Sequence, residues 1–386
     1  MIVLTSAAYI GHEFRAEFGA IPPCMLPIGN RRLYEHQLTR LDAAFPDESC
    51  YVSLPESFPL PDVDARRLTE ASAEVIRVPE DLSLAEAVLY VINSVGCYDE
   101  PLRILHGDTL ISDIPGGTDV LAISATRDDY NWEVEAVGEQ DETVWSGFFA
   151  FSDTRLLARA LTLSRCHFGR AVRAYDRQLN LERVSVGHWL DLGHVNTYYA
   201  SRARMTTERA FNDLYIGRGK VWKSGNDELK IRSEIYWYDH VPPSIKRYCP
   251  QMLESGEHEG RPFYSLEYLY LPPLNELYVH GRNPLFFWEN VFSCIDRFVE
   301  ACVAEDVAKP VPAEALAVEQ LYAEKTWRRL EIFSARHHVD LDRALTCNGG
   351  LVPSIRELAA LCIDRVLGGP SVPGGMHGDL CFSTIL

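Results

Sequence analysis

No two of the ten cysteines stand as Cys-x-x-Cys; they occur singly from Cys24 to Cys381. That pattern excludes the common zinc and dithiol frameworks and fits reduced, buried thiols in a cytoplasmic protein. Positive charge is also scarce: 37 Lys and Arg against 55 Asp and Glu leave a formal net charge of −18. Such a field disfavours nonspecific binding to nucleic acid or anionic lipid, although a local basic pocket or a bound metal can still receive an anionic substrate. No apolar run reaches membrane-spanning length. No basic segment precedes Ile2-Val3-Leu4-Thr5, which is expected to be a first buried strand and not a secretion signal. Internal repeats and low-complexity tracts are lacking too. What is present is a globular composition over 386 residues, enough for two or three domains. Small metabolites and nucleotides are the expected partners, with self-association left open.

Strand and helix patterns alternate in the first half. Strands are expected at 2–5, 50–54, 102–105, 120–125 and 144–151, and helices at 33–43, 84–95 and from 152 to 163. Ser83 with Glu86 three residues on forms a capping-box signal. This order predicts an α/β domain with a mostly parallel sheet over residues 1–203. A β-rich lobe (204–275) follows, with strands at 214–216 and 220–223 and a helix at 229–238. Helices at 285–303, 313–333 and 355–366 then make a helical lobe (276–386).

His106-Gly107-Asp108 ends a predicted strand, and open α/β sheets bind ligands at that edge. A carboxylate there can hold Mg²⁺ against nucleotide phosphates. Asp191, in Trp189-Leu190-Asp191-Leu192-Gly193, is a second candidate for the same ion. Two such acids suit nucleotidyl transfer, in which a phosphate attacks the α-phosphorus of an NTP.

Residues 1 to about 200 resemble the nucleotidyltransferase family that makes nucleotide sugars and CDP-activated small molecules. Leu4 to Gly19 stands where that family has its glycine-rich phosphate loop. Ile21 to Gly29 stands at its PK-x-L-x-P segment, Leu105 to Asp108 at its metal motif, and Trp189 to Gly193 at its Trp-x-Asp-x-Gly-Thr segment. The resemblance implies a Rossmann-like fold, Asp108 and Asp191 on Mg²⁺, and CTP or another NTP as substrate. Departures are equally plain. Pro23 replaces the family lysine and His194 the threonine. The loop Ala7-Ala8-Tyr9-Ile10-Gly11-His12 keeps one glycine, leaving Arg15 as its guanidinium. Arg31 and Arg32 are read either as compensating cations or as two exposed arginines at a helix start.

In the second half, Lys223 ends a strand and Glu234 follows eleven residues later in an amphipathic run. A strand Lys paired with a helix Glu anchors α- and β-phosphates in kinases. Phe263 to Leu269 reads as a strand and hinge, with the backbone of Glu267 and Leu269 placed to meet adenine. From about residue 205 the chain resembles the aminoglycoside phosphotransferase and choline kinase family, whose H-G-D-x-x-x-x-N loop matches at His377, Gly378 and Asp379. The resemblance implies ATP as cofactor and Asp379 beside the acceptor hydroxyl. Thr384 takes the metal-side Asn position, and no second metal Asp follows. This lobe is therefore expected to be a C-terminally incomplete or decayed kinase-like fold.

The aromatics Tyr264, Tyr268, Tyr270, Tyr278, Phe286, Phe287 and Trp288 are expected to pack in a core. His337-His338 with Asp340 and Asp342 reads as a solvated helix end. Asp62-Val63-Asp64 matches a glycosyltransferase Asp-x-Asp in letters only. The combined expectation is a bifunctional transferase of a surface-polysaccharide pathway, with a non-catalytic scaffold built from two decayed enzyme domains as the rival.

Overall fold

The computed structural model describes every residue except 129, 139–140, 166, 210–213, 305–318, 348 and 370–379. The first strand, β1 (Ile2–Thr5), is buried along its whole length. It pairs in parallel with β2 (Cys50–Pro55) on one side and β4 (Leu102–His106) on the other. Outside β2 lies β3 (Ala73–Val78), also parallel. Thr109–Ile111, off this sheet, is β5. Beyond β4 the sheet continues through β8 (Glu142–Phe151), β6 (Val120–Thr126) and β9 (Glu182–Ser185), with β7 (Val134–Val137) pairing β8 off the main path. Only β8 runs against the common direction, with β4, β6 and β7 all antiparallel to it, so the fold is α/β with a parallel-rich sheet.

Central strands of such a sheet are covered on both faces and read as near-continuous apolar runs, as Ile2-Val3-Leu4 and Trp145 to Phe151 do. One face packs on α4 (Leu84–Val95), α5 (Thr154–Leu163) and α6 (Phe168–Leu179), through Val88, Val91, Leu157, Leu161, Val172 and Tyr175. The capping box expected at Ser83 forms: Glu86 accepts from the Ser83 N–H at 2.8 Å and donates its own N–H to Ser83 Oγ at 3.4 Å. The expected helix at 33–43 forms as α2 (Leu33–Ala44). Among the elements not anticipated are α1 (His12–Phe18), α3 (Asp62–Glu70) and β3, which are too short to show a clear apolar periodicity, and α6.

The expected break at residue 203 falls inside a helix, α7 (Val195–Arg209). Two compact units divide the chain elsewhere. The first comprises Met1–Trp237, Pro250–Asn290 and Asp379–Leu386; the second comprises Tyr238–Cys249 and Val291–Gly378. Besides the large sheet, the first unit holds an antiparallel sheet of β11 (Leu214–Gly217), β12 (Lys220–Ser224), β14 (Arg261–Glu267) and β13 (Met252–His258). It also holds the helix Leu274–His280. The second unit is mainly helical, with Lys325–His337 and Ile355–Leu367 among its elements. The first of these ends at His337, with His338 as a left-handed C-cap, as a solvated helix end requires. The expected aromatic core is only partly realised. Tyr264 is buried, but Tyr278 is 69% and Phe286 65% exposed, because they lie on outward faces of their helices. Among the described residues, no helix is long and apolar enough to cross a membrane.

Candidate active site

The carboxyl edge of β4 builds the site. Gly107 turns the chain there, donating its N–H to the Thr5 carbonyl at 2.8 Å. A Cβ at Gly107 would lie 2.6 Å from that oxygen, so only glycine lets β4 turn so close to β1. The turn delivers Asp108 to the rim and leads into β5. A short strand, β10 (Trp189–Asp191), pairs antiparallel with β5 and sets Asp191 opposite Thr109. The Leu192 N–H then donates to the Asp108 carbonyl at 2.8 Å. Backbone pairing thus brings together two acids that are far apart in sequence.

Each carboxylate has a distinct setting. Asp191 is buried; its Oδ2 accepts from His194 Nδ1 at 2.8 Å and from the Thr197 hydroxyl. Its carbonyl accepts from Ser201 Oγ at 2.9 Å. The bond to Asp191 pushes the His194 imidazole above its usual range. Asp108 is pushed up to about 6, first by burial and then by the negative charge of Asp191. Two facing anions, one of them driven toward protonation, fit a divalent cation, which would favour both ionised forms. No cluster of three His, Cys, Asp or Glu suited to a metal occurs among the described residues. Two carboxylates nonetheless suit Mg²⁺, which takes its remaining ligands from water and substrate phosphates.

Gly193 lies against this pair. A Cβ there would meet Asp108 Oδ2 at 2.6 Å. Gly193→Ala is therefore expected to push the Asp108 carboxylate aside and weaken Mg²⁺ affinity about tenfold, with little change in melting temperature, as read by calorimetry and a thermal melt. Unchanged affinity would separate Gly193 from the metal edge.

Both acids line a cavity of about 490 Å³ that also reaches the first residues of α4 and α6. Its charged described residues are Asp108, Glu133 and Asp191, with no Lys or Arg, and Trp132, Trp145 and Trp189 stand in its walls. Sequence reading missed Trp132, Glu133, Trp145 and Ser146. The available signal was Gly147, a glycine inside an apolar strand: it has φ +88°, sits where β8 shifts register against β6, and a Cβ there would lie 2.7 Å from Thr109 Oγ1.

Arg15 is not at this cavity. Its Nε donates to the Ile10 carbonyl at 3.0 Å and its guanidinium lies over Tyr9. The two arginines at residues 31 and 32 differ from either expectation. Arg31 is exposed, but Arg32 is buried, because its guanidinium meets Asp64 at 3.3 Å and the carbonyls of Met25 and His280 at 2.9 and 2.6 Å. That same contact accounts for Asp64, whose Oδ1 also accepts from the Tyr34 hydroxyl at 2.9 Å.

In the antiparallel sheet, Lys223 Nζ reaches both oxygens of Glu234, at 3.0 and 2.9 Å, and the Tyr264 hydroxyl donates to Glu234 at 2.8 Å. The Glu267 N–H donates to the Gln251 carbonyl at 2.9 Å, and the Tyr268 N–H to Gly219 at 2.9 Å, just before Leu269. His377 and Asp379 lie outside the described residues. Thr384 is described; its N–H closes a turn on the Cys381 carbonyl at 2.9 Å.

No family model matches the chain, and no curated protein sequence matches it. Solved structures do. A nucleoside-diphosphate-sugar pyrophosphorylase from Vibrio cholerae RC9 aligns at 15% identity over 52% of this chain and 99% of that chain, with a TM-score of 0.42. The protein HddC from Yersinia pseudotuberculosis aligns at 15% identity over 53% and 99%, with a TM-score of 0.36. A cytidylyltransferase from Leptospira borgpetersenii aligns at 12% identity over 53% and 85%, with a TM-score of 0.32.

Proposed function

We propose that the first unit transfers a nucleotidyl group from an NTP, CTP being one candidate, to a phosphorylated small molecule. The observation that carries this reading is the pairing of Asp108 and Asp191 at the carboxyl edge of β4, on one cavity wall. Asp108 and Asp191 would hold Mg²⁺, which when bound neutralises charge on the nucleotide phosphates. His194 and Thr197 fix the Asp191 carboxylate, Gly107 fixes Asp108, and the tryptophan walls exclude water. The attacking group is the acceptor's own phosphate, so the reaction needs positioning more than a strong base.

The finer reading adds a kinase-like module for a hydroxyl- or amine-bearing precursor, using ATP. Its support is the Lys223–Glu234 pair together with the His377-Gly378-Asp379 motif. Kinase followed by nucleotidyltransferase is the order of an activated head group or sugar, and surface-polysaccharide synthesis in the cytoplasm is the proposed setting. A second reading, a non-catalytic binding protein, is favoured by two observations: no Lys or Arg among the described cavity residues, and Arg15 turned onto Ile10.

Calorimetric titration of the folded chain with Mg²⁺ and each of CTP, UTP, GTP, dTTP and ATP separates them. Heat with at least one nucleotide, lost in Asp191→Asn, is expected. Silence with all five ends the transferase reading. ATP heat that survives Asp191→Asn and disappears in Lys223→Met reports the kinase-like module.

A further inference from the structure

Only Gly107 and Asp108 link the last residue of β4, His106, to the first of β5, Thr109. In so short a link the Asp108 carboxylate is aimed by whatever holds the two ends. Glycine on one side lends no stiffness. Asp191 works against the arrangement, because facing carboxylates repel when both are ionised. Two backbone bonds tie the turn to its neighbours: Gly107 N–H to the Thr5 carbonyl on β1, and Leu192 N–H to the Asp108 carbonyl. Neither of them spans the turn from β4 to β5.

Gln37 spans it. This residue of α2 is 0% exposed. Its Nε2 donates to the His106 carbonyl at 3.0 Å and to the Thr109 carbonyl at 2.6 Å. A primary amide has two N–H donors, and both are used here. The same contacts settle which way the amide points, since an oxygen in that place would face two carbonyls. The outcome for the other end is poor: Gln37 Oε1 is buried and has no partner among the described residues. Buried oxygens in that state destabilise a fold. The rest of the buried face of α2 is Leu33, Tyr34, Leu38 and Leu41. Methionine at position 37 would fill a similar volume with no unpaired atom, so packing is not what the amide serves.

We infer that Gln37 is a positioning residue for the proposed transfer: its amide staples the turn between β4 and β5 and so aims the Asp108 carboxylate at Asp191 and their shared Mg²⁺. Gln37 does not line the cavity, so it acts through the turn and not on a ligand. The role in transfer rests on the transferase reading; the staple does not.

The test uses the full chain. In the unaltered protein the side-chain amide protons of Gln37 are expected to exchange with solvent at least tenfold more slowly than those of exposed Gln178, as read by NMR. Gln37→Met removes both donors at similar side-chain length. It is expected to weaken Mg²⁺ affinity at least tenfold by calorimetry, the scale of losing a group that orients a ligating carboxylate. It is also expected to speed exchange at the Gly107 and Leu192 amides, which flank Asp108 in space. Leu38→Ala, on the same buried face, is the control: the space it opens lowers the melting temperature and leaves Mg²⁺ affinity unchanged. An affinity in Gln37→Met equal to that in Leu38→Ala, or a Gln37 amide that exchanges as fast as Gln178, overturns the inference. A protected Gln37 amide in a chain that gives no heat with Mg²⁺ or any Mg-nucleotide leaves the staple standing and removes the transferase reading. Mg-nucleotide heat that Gln37→Met does not touch does the reverse.

Discussion

Asp108→Asn is expected to stabilise the magnesium-free protein at pH 7 and at the same time to abolish the proposed nucleotidyl transfer. The two effects share one cause. The Asp108 carboxyl titrates at about 6 in the folded chain, against 3.8 for an ordinary aspartate, because it is enclosed and faces Asp191. Below pH 4 it is protonated in both folded and unfolded chains and costs nothing. Between pH 4 and 6 the unfolded chain ionises first, so folding loses stability as pH rises, by about 3 kcal/mol in full above pH 6. Asparagine carries no charge and escapes that loss. Denaturant midpoints without Mg²⁺, measured from pH 4 to 7.5, should fall for the wild type relative to the variant across that window. Added Mg²⁺ should close the gap. Turnover in the variant is expected to drop by about 10³-fold, the scale of one lost preorganised electrostatic contact. Parallel midpoints at every pH would mean that the Asp108 carboxyl is neither enclosed nor facing Asp191 as the fold places it.

Arg32→Met is the second large effect, and it concerns folding alone. The substitution leaves Asp64, 4% exposed, with Tyr34 as its remaining side-chain partner and strips the His280 carbonyl of a charged donor. Removing one member of a buried pair costs about 3–5 kcal/mol. A loss of that size should appear in urea denaturation as a shifted midpoint with the slope unchanged. The double variant Arg32→Met with Asp64→Leu should recover most of it, since apolar replacement of both partners leaves no stranded charge. A single variant as stable as the wild type would show the pair to be energetically idle.

Much of the large sheet was readable because its strands are continuous apolar runs and its best helix carries a complete capping box at Ser83 and Glu86. The proximity of the two acids, Asp108 and Asp191, was readable for a different reason. Gly107, which the backbone needs, and Gly193, which leaves room for the Asp108 carboxylate, stand beside the two aspartates in sequence as well as in space. Arg32 was misread because burial of an arginine depends on partners that no local window contains: Asp64 is 32 residues away and the His280 carbonyl 248. The Trp132 wall was missed for the same reason, since that ring packs on Trp189 and His194, far along the chain. Helix α6 was overlooked although its pattern was legible: Ala171, Val172 and Tyr175 recur at helical spacing on the buried face, with Arg170, Arg173 and Arg177 on the exposed one.

Helix α7 begins beside Asp191, where Thr197 and Ser201 grip that residue, and one position later Arg202 bonds Glu276, which is 3% exposed. Five residues of helix, about 7.5 Å, separate the first of these contacts from the last. Cutting the chain at 203 would therefore strand an acid in the helix Leu274–His280, much as losing Arg32 strands Asp64. The joint between the large sheet and the smaller sheet is a shared structural member, not a tether, and neither piece can be trimmed away without remaking the surface it leaves behind.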